Sequence, residues 1–238
     1  MRIVFMGTPD FAVPSLKVLV NSEHEVVCVV TTPDKPAGRG KKMHASAIKM
    51  AAIEHGLPLL QPEKFRDVDF LQSLRSLNAD LFVIVAFRIL PDVVFTMPSQ
   101  GSFNLHASLL PKYRGAAPLN WALINGEKES GATTFFLDKN VDTGQILLQK
   151  STPLTENTTA GELHDALSEV GAELVLQTVD YIASGECQPQ VQIGEPTKAP
   201  KLTPGLGRLD WTNSAQELHN LIRGLSPFPG SYCTWITN

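Results

Sequence analysis

Apolar residues recur along this chain in short unbroken runs separated by amphipathic stretches, and that rhythm outlines most of its elements. The run at 2–6 (RIVFM) ends at Gly7 and leads into a helical pattern over 11–20, with Pro14 in its first turn, where a missing N–H costs nothing. A second apolar run at 26–30 predicts a buried strand, and 45–55 reads as a helix closed by Gly56. Residues 68–77 are amphipathic, 81–86 form a continuous apolar strand, 91–97 a short helix and 102–106 another strand. Strands that are apolar throughout and alternate with helices predict a parallel sheet covered on both faces. Ligands of such sheets bind beyond the carboxyl ends of the strands, where Gly7, Ala86 and His106 fall.

After Ala117 the rhythm changes. Residues 118–123 continue a helix that Asn125-Gly126 stops, and two strands are expected at 132–137 and 145–150 around the turn DKNVDTG. Thr159 and Glu162 have capping-box spacing, and Leu163, Leu167, Val170 and Leu174 mark the buried stripe of a long helix ending at Gly185. Pro189, Pro196, Pro200 and Pro204 predict an extended connector over 188–207. A new unit opens at Leu209-Asp210-Trp211, with a helix over 215–225 and a strand-like stretch at 232–236. Some thirty residues bury little core alone. The unit therefore either docks on the main domain or opens a domain that is cut short, and the second is the expectation.

The 238 residues suffice for one α/β domain with a small appendage, and an apolar share of 43% fits an ordinary globule. A net charge of −4 does not announce a nucleic-acid binder, so any such contact needs a local basic patch. Cys28, Cys187 and Cys233 are widely spaced and odd in number, which argues against a disulfide scaffold or zinc site and suggests a reducing compartment. The opening MRIVFMGTPD is too short for a signal peptide or membrane span, so a cytoplasmic location is expected.

The chemistry concentrates in FNLHASLLPKYRGAAP, residues 103–118. On a strand, Asn104 and His106 project from one face. An amide donor and an imidazole aimed at one point suit acyl transfer, one stabilising an oxyanion while the other moves a proton. Polar strand ends bonded to nearby backbone are the plainer reading, but their place at the carboxyl edge favours function. Asp142 is the candidate third member, because a carboxylate beside an imidazole fixes its tautomer. It could equally stabilise its own turn, and Asp138 and Asp10 compete for the role. TPDKPAGRGKK at 32–42 is the one strongly basic loop, with Lys35, Arg39, Lys41 and Lys42 around glycines that permit close approach to phosphate. A solvated loop is the alternative. GxGxxG, Walker, GxSxG and HExxH motifs are absent.

MGTPDFAVPSL, TTPDKPAGRGKK, residues 83–90, NLHASLLPKYRGAAP and DKNVDTGQ together resemble the methionyl-tRNA formyltransferases, within the formyltetrahydrofolate-dependent formyltransferase superfamily. Nearly the whole chain shares the likeness. The resemblance implies a Rossmann-like, mostly parallel α/β sheet with helices on both faces, followed by the truncated start of an OB-type β-barrel. Domains are then expected at 1–187 (catalytic), 188–208 (linker) and 209–238. The implied reaction moves the formyl group of 10-formyltetrahydrofolate to the α-amine of initiator methionyl-tRNA, for translation initiation, without a metal. Asn104 would bond the formyl oxygen, His106 would move protons, and Asp142 would orient His106 and relay a proton. Ser108, Leu109, Leu110 and Pro111, with Phe87, Arg88, Ile89 and Leu90, would hold the folate. Lys35, Arg39, Lys41 and Lys42 would meet the tRNA. Residues 86–90 are one shorter than the family pattern and carry Arg88 where small residues are usual. Formylation of an amino-sugar nucleotide, hydrolysis of formyltetrahydrofolate and a non-catalytic folate- or tRNA-binding module are the alternatives. A monomer is the default expectation.

Overall fold

The computed structural model describes residues 1–37 and 42–234. Its centre is a seven-stranded sheet: β1 (Arg2–Gly7), β2 (Glu25–Val30), β3 (Leu59–Leu60), β4 (Leu81–Val85), β5 (Ser102–His106), β6 (Glu129–Phe136) and β7 (Ile146–Pro153). The spatial order is β7-β6-β5-β4-β1-β2-β3. Strands β1 to β5 pair in parallel, whereas β6 runs antiparallel to both β5 and β7. The order steps outwards from β1 to β3 and then returns to β4 on the other side of β1, which opens a crevice at the carboxyl ends of β1 and β4.

The alternation of side chains divides the core between two faces. Ile3, Phe5, Val83, Val85, Phe103 and Leu105 pack under helices α1 (Val13–Val20), α2 (Ala47–Glu54) and a long later helix over Ala160–Ala183. Val4, Met6, Cys28, Phe82 and Ile84 pack under α3 (Val68–Ser76) and α4 (Asp92–Phe95). A 3-10 turn at Asp10–Ala12 precedes α1, so the helical pattern expected from residue 11 is divided in two. After α5 (Pro118–Ile124), helix α6 (Ala160–Ala183) starts on the expected capping box of Thr159 and Glu162. Leu163, Leu167 and Leu174 are buried on it, each contributing about 1.5–3 kcal/mol.

The later segments pack against this core. Gln190 bridges to Ile146, and Lys198–Ala199 pairs in parallel with Arg114–Gly115. Helix α7 (Ala215–Gly224) docks on α5: Asn120 donates to the Gly224 carbonyl at 2.8 Å, and buried Arg223 donates to the carbonyls of Thr155 at 2.9 Å and Leu123 at 3.4 Å. The strand expected over 232–236 lies partly outside the described residues, of which Tyr232 makes one bridge, to Arg208. No described helix is long and apolar enough to cross a membrane.

Gly171 of α6 lies against Leu105, between Asn104 and His106 on β5; a Cβ there would come within 2.6 Å of Leu105 Cδ2. Gly171→Val should overpack this contact and lower stability by about 1–3 kcal/mol in urea unfolding. An unchanged midpoint would contradict the packing described.

Candidate active site

Strand β5 places Asn104 half-buried and His106 buried at its carboxyl end. His106 Nε2 lies 2.8 Å from the Tyr113 carbonyl oxygen. A carbonyl can only accept, so Nε2 carries the proton and the neutral ring keeps its lone pair on Nδ1. That nitrogen faces Asp142 Oδ2 at 3.9 Å, within reach of charge pairing but beyond a hydrogen bond. The same Oδ2 accepts the Gly115 N–H at 2.8 Å. Asn104, His106 and Asp142 therefore converge, and the rivals do not. Asp138 is occupied by the Thr143 hydroxyl and the Asn140 N–H in its own turn, and Asp10 accepts from the Phe11 N–H beside α1.

Backbone strain gathers here. Four non-glycine residues among those described have positive φ, and three of them, Ala86 (47°), Tyr113 (61°) and Asp142 (56°), surround the site. Such conformations cost about 1–3 kcal/mol each and persist only where neighbours enforce them. Tyr113 is enforced from several sides. Its N–H donates to Thr197 Oγ1 at 2.8 Å, and its hydroxyl donates to Glu127 at 2.8 Å and accepts from Asn125 at 3.2 Å.

Two cavities meet at this point, of about 370 and 760 Å³, sharing Phe87, Ile89, Asn104, Val141 and Asp142. The smaller runs between Ile84, Leu90 and Phe95 on one side and residues 137–140 on the other. The larger runs past His106, Phe11, Pro118 and His164.

Phe87, Arg88, Ile89 and Leu90 all line the smaller cavity. The Arg88 guanidinium lies 4.2 Å over the Phe65 ring and donates to the carbonyls of Pro62 at 2.8 Å and Glu63 at 3.3 Å, so it braces the 86–90 segment against 62–65. Burial pulls this guanidinium below its usual pKa. Ser108, Leu109, Leu110 and Pro111 line neither of these two cavities, while Leu109 and Pro111 border a third, of about 270 Å³. Ser108 Oγ donates to the Lys112 carbonyl at 2.7 Å, and Leu110 N–H donates to Thr133 Oγ1 at 3.1 Å, which fixes the turn leading to Tyr113. Lys35 is exposed on a hairpin of Lys35–Ala37 with Lys42–His44, beyond the carboxyl end of β2. Arg39, Lys41 and the Lys42 side chain lie outside the described residues.

Sequence reasoning passed over the Tyr113 carbonyl, the Gly115 N–H and Gln192, whose carboxamide reaches the Asp142 loop. Gly115 left a signal: its φ is +125° and a Cβ would come within 2.6 Å of the Ala199 oxygen, so only glycine fits. The other two contacts go to main-chain carbonyls and left none.

A family profile described as formyl transferase matches residues 1–179, and one described as formyl transferase, C-terminal domain, matches residues 201–238. The methionyl-tRNA formyltransferase of Azobacteroides pseudotrichonymphae is 52% identical over 238 aligned residues, 97% of this chain and 74% of that protein. That of Clostridioides difficile is 48% identical over 99% of this chain and 77% of its own length. Among solved structures, an N-formyltransferase from Helicobacter canadensis with folinic acid and an amino-sugar nucleotide is similar, with a TM-score of 0.69 and 21% identity over 93% of this chain and 79% of that one. HypX from Aquifex aeolicus with tetrahydrofolic acid has a TM-score of 0.72 and 18% identity over 98% of this chain and 36% of its own.

Burial, reinforced by Glu127, pushes the Tyr113 hydroxyl up from its ordinary value of 10.0 to about 12. The un-ionised phenol thus contributes stability that is fully present below 10 and lost as pH rises through about 12. An absorbance titration should show one late phenolate step that Tyr113→Phe removes. Ionisation of all three tyrosines together near 10 would contradict the buried contact.

Proposed function

The chain belongs to the formyl transferase family, and from that premise we propose that it transfers the formyl group of 10-formyltetrahydrofolate to the α-amine of methionine on initiator methionyl-tRNA, for translation initiation. The observation that carries the reading is the convergence of Asn104, His106 and Asp142 where two cavities meet. Relatives about half identical over nearly the whole chain support the acceptor.

The smaller cavity suits the donor. Its walls are apolar (Ile84, Leu90, Phe95, Leu137) and its rim polar, which fits a flat pterin with apolar faces and hydrogen-bonding edges. The donor supplies a formyl carbon activated by its bond to a folate nitrogen. The Asn104 carboxamide has no hydrogen-bond partner among the described residues and is free to donate to the formyl oxygen as charge builds there. The methionyl end enters from the larger cavity, where Phe11, Pro118 and Leu119 receive the apolar side chain. Its attacking amine must shed a proton, and the folate nitrogen must gain one before it leaves. His106 Nε2 is committed to Tyr113, so Nδ1 takes the amine's proton, Asp142 balances the imidazolium that results and helps relay that proton, and it passes to the folate nitrogen as the carbon–nitrogen bond breaks. Lys35, Arg39, Lys41 and Lys42 track the acceptor-stem phosphates. The reading gives 1–187 to catalysis, 188–208 to a linker and 209–238 to the start of the second domain, and locates the protein in the cytoplasm.

The test is formyl transfer from 10-formyltetrahydrofolate to methionyl-tRNA, beside an amino-sugar nucleotide and water alone. Transfer to the charged tRNA is expected; transfer to the sugar alone, hydrolysis alone or binding without turnover would replace the reading. His106→Ala should lower turnover by about a hundredfold or more with the fold intact. Near-wild-type turnover would remove His106 from the mechanism. Neutralising Lys41 and Lys42 should weaken use of tRNA and flatten its salt dependence while leaving folate binding unchanged. An unchanged salt slope, read from KM at several ionic strengths, would take the loop out of the tRNA contact.

A further inference from the structure

The Asp142 carboxylate is aimed by a loop whose backbone is strained at Asp142 itself, with φ of +56°, so something must hold that loop in place. Among the described residues, one side chain bonds the loop's main-chain carbonyls at Asp142 and Gly144: Gln192, half-buried, whose Nε2 donates to both at 2.9 Å. The other end of the carboxamide is fixed as well. Gln192 Oε1 accepts from Arg114 Nη2 at 2.6 Å and Nε at 3.2 Å. Arg114 stands between Tyr113, whose carbonyl holds His106, and Gly115, whose N–H holds Asp142. Gln192 therefore joins the two segments that set the positions of His106 and Asp142.

We propose that Gln192 is a positioning residue for Asp142, and that Arg114 orients it; this rests on the role given to Asp142 above. Both donors of the carboxamide are committed to the loop and its acceptor to the guanidinium, so the side chain cannot swing without breaking bonds on both sides. A loop released from Gln192 relaxes at Asp142 towards ordinary φ and withdraws the carboxylate from Nδ1. Displacements near an ångström lower turnover steeply.

The test is a double-mutant cycle on the full chain. Gln192→Leu should lower kcat by about tenfold or more while KM for donor and for methionyl-tRNA stays within about threefold. Gln192→Glu keeps an acceptor for Arg114 and places an acceptor opposite two carbonyls, so it should be at least as impaired; if the leucine variant fails to fold, Gln192→Glu carries the test. In an Asp142→Asn background neither change should lower kcat further. Wild-type kcat in Gln192→Glu, or the same fold-loss with and without Asp142→Asn, overturns the proposal. Asp142→Asn is also measured alone. If it leaves kcat unchanged, the reading of Asp142 fails and the proposal with it, a result distinct from an additive cycle.

Discussion

A buried imidazole must find a partner for its N–H, and His106 finds the carbonyl of Tyr113, seven residues on. Much of the site follows from keeping that carbonyl in place. It faces back towards β5 because Tyr113 takes a left-handed backbone, and Tyr113 stays left-handed because its N–H, ring and hydroxyl are each engaged. The same corner turns the next N–H but one, that of Gly115, onto Asp142. One hydrogen bond thereby fixes the tautomer of His106, and the backbone that supplies it also fixes the neighbouring carboxylate.

The reversed strand β6 completes the arrangement. A parallel neighbour would need a long crossover, whereas β6 runs back beside β5 and brings Thr133 opposite His106. Thr133 Oγ1 donates to the Ser108 carbonyl at 2.6 Å and accepts from Leu110, and Gln149 from β7 adds a bond to the Leu110 carbonyl at 2.9 Å. The SLLP turn is thus held from behind by the sheet while its far end holds the imidazole. The connection from β6 to β7 leaves the sheet beside the start of β5 and brings Asp142 back to His106, and Gly144 lets it rejoin the sheet because a Cβ there would overlap the Phe136 carbonyl oxygen.

The sequence announced whatever side chains determine locally. Unbroken apolar runs gave β1, β2, β4 and β5, capping residues gave the start of α6, and period-two alternation put Asn104 and His106 on one face. Asp142 could be named but not separated from Asp138 and Asp10, because the choice depends on which turn reaches β5. The reversal of β6 and the bond from Gln192 to a loop fifty residues earlier depend on long-range register. A main-chain carbonyl is the same group at every position, so a residue that acts by bonding one leaves no mark on its partner's identity. Gln192 looked like one polar residue among prolines.

The pairing of Lys198–Ala199 with Arg114–Gly115 also bears on how the protein comes into being. Chains emerge from the ribosome at about 5–20 residues per second, so the sheet, Asn104, His106 and Asp142 are all synthesised seconds before residues 190–200 arrive. A nascent chain that already has its sheet still lacks the bond from Tyr113 to Thr197 and those from Gln192 to the Asp142 loop. The contacts that join the Tyr113 corner to the Asp142 loop through Gln192 and Thr197 are thus the last of this region to become available, and they come from a segment that contributes little to the hydrophobic core.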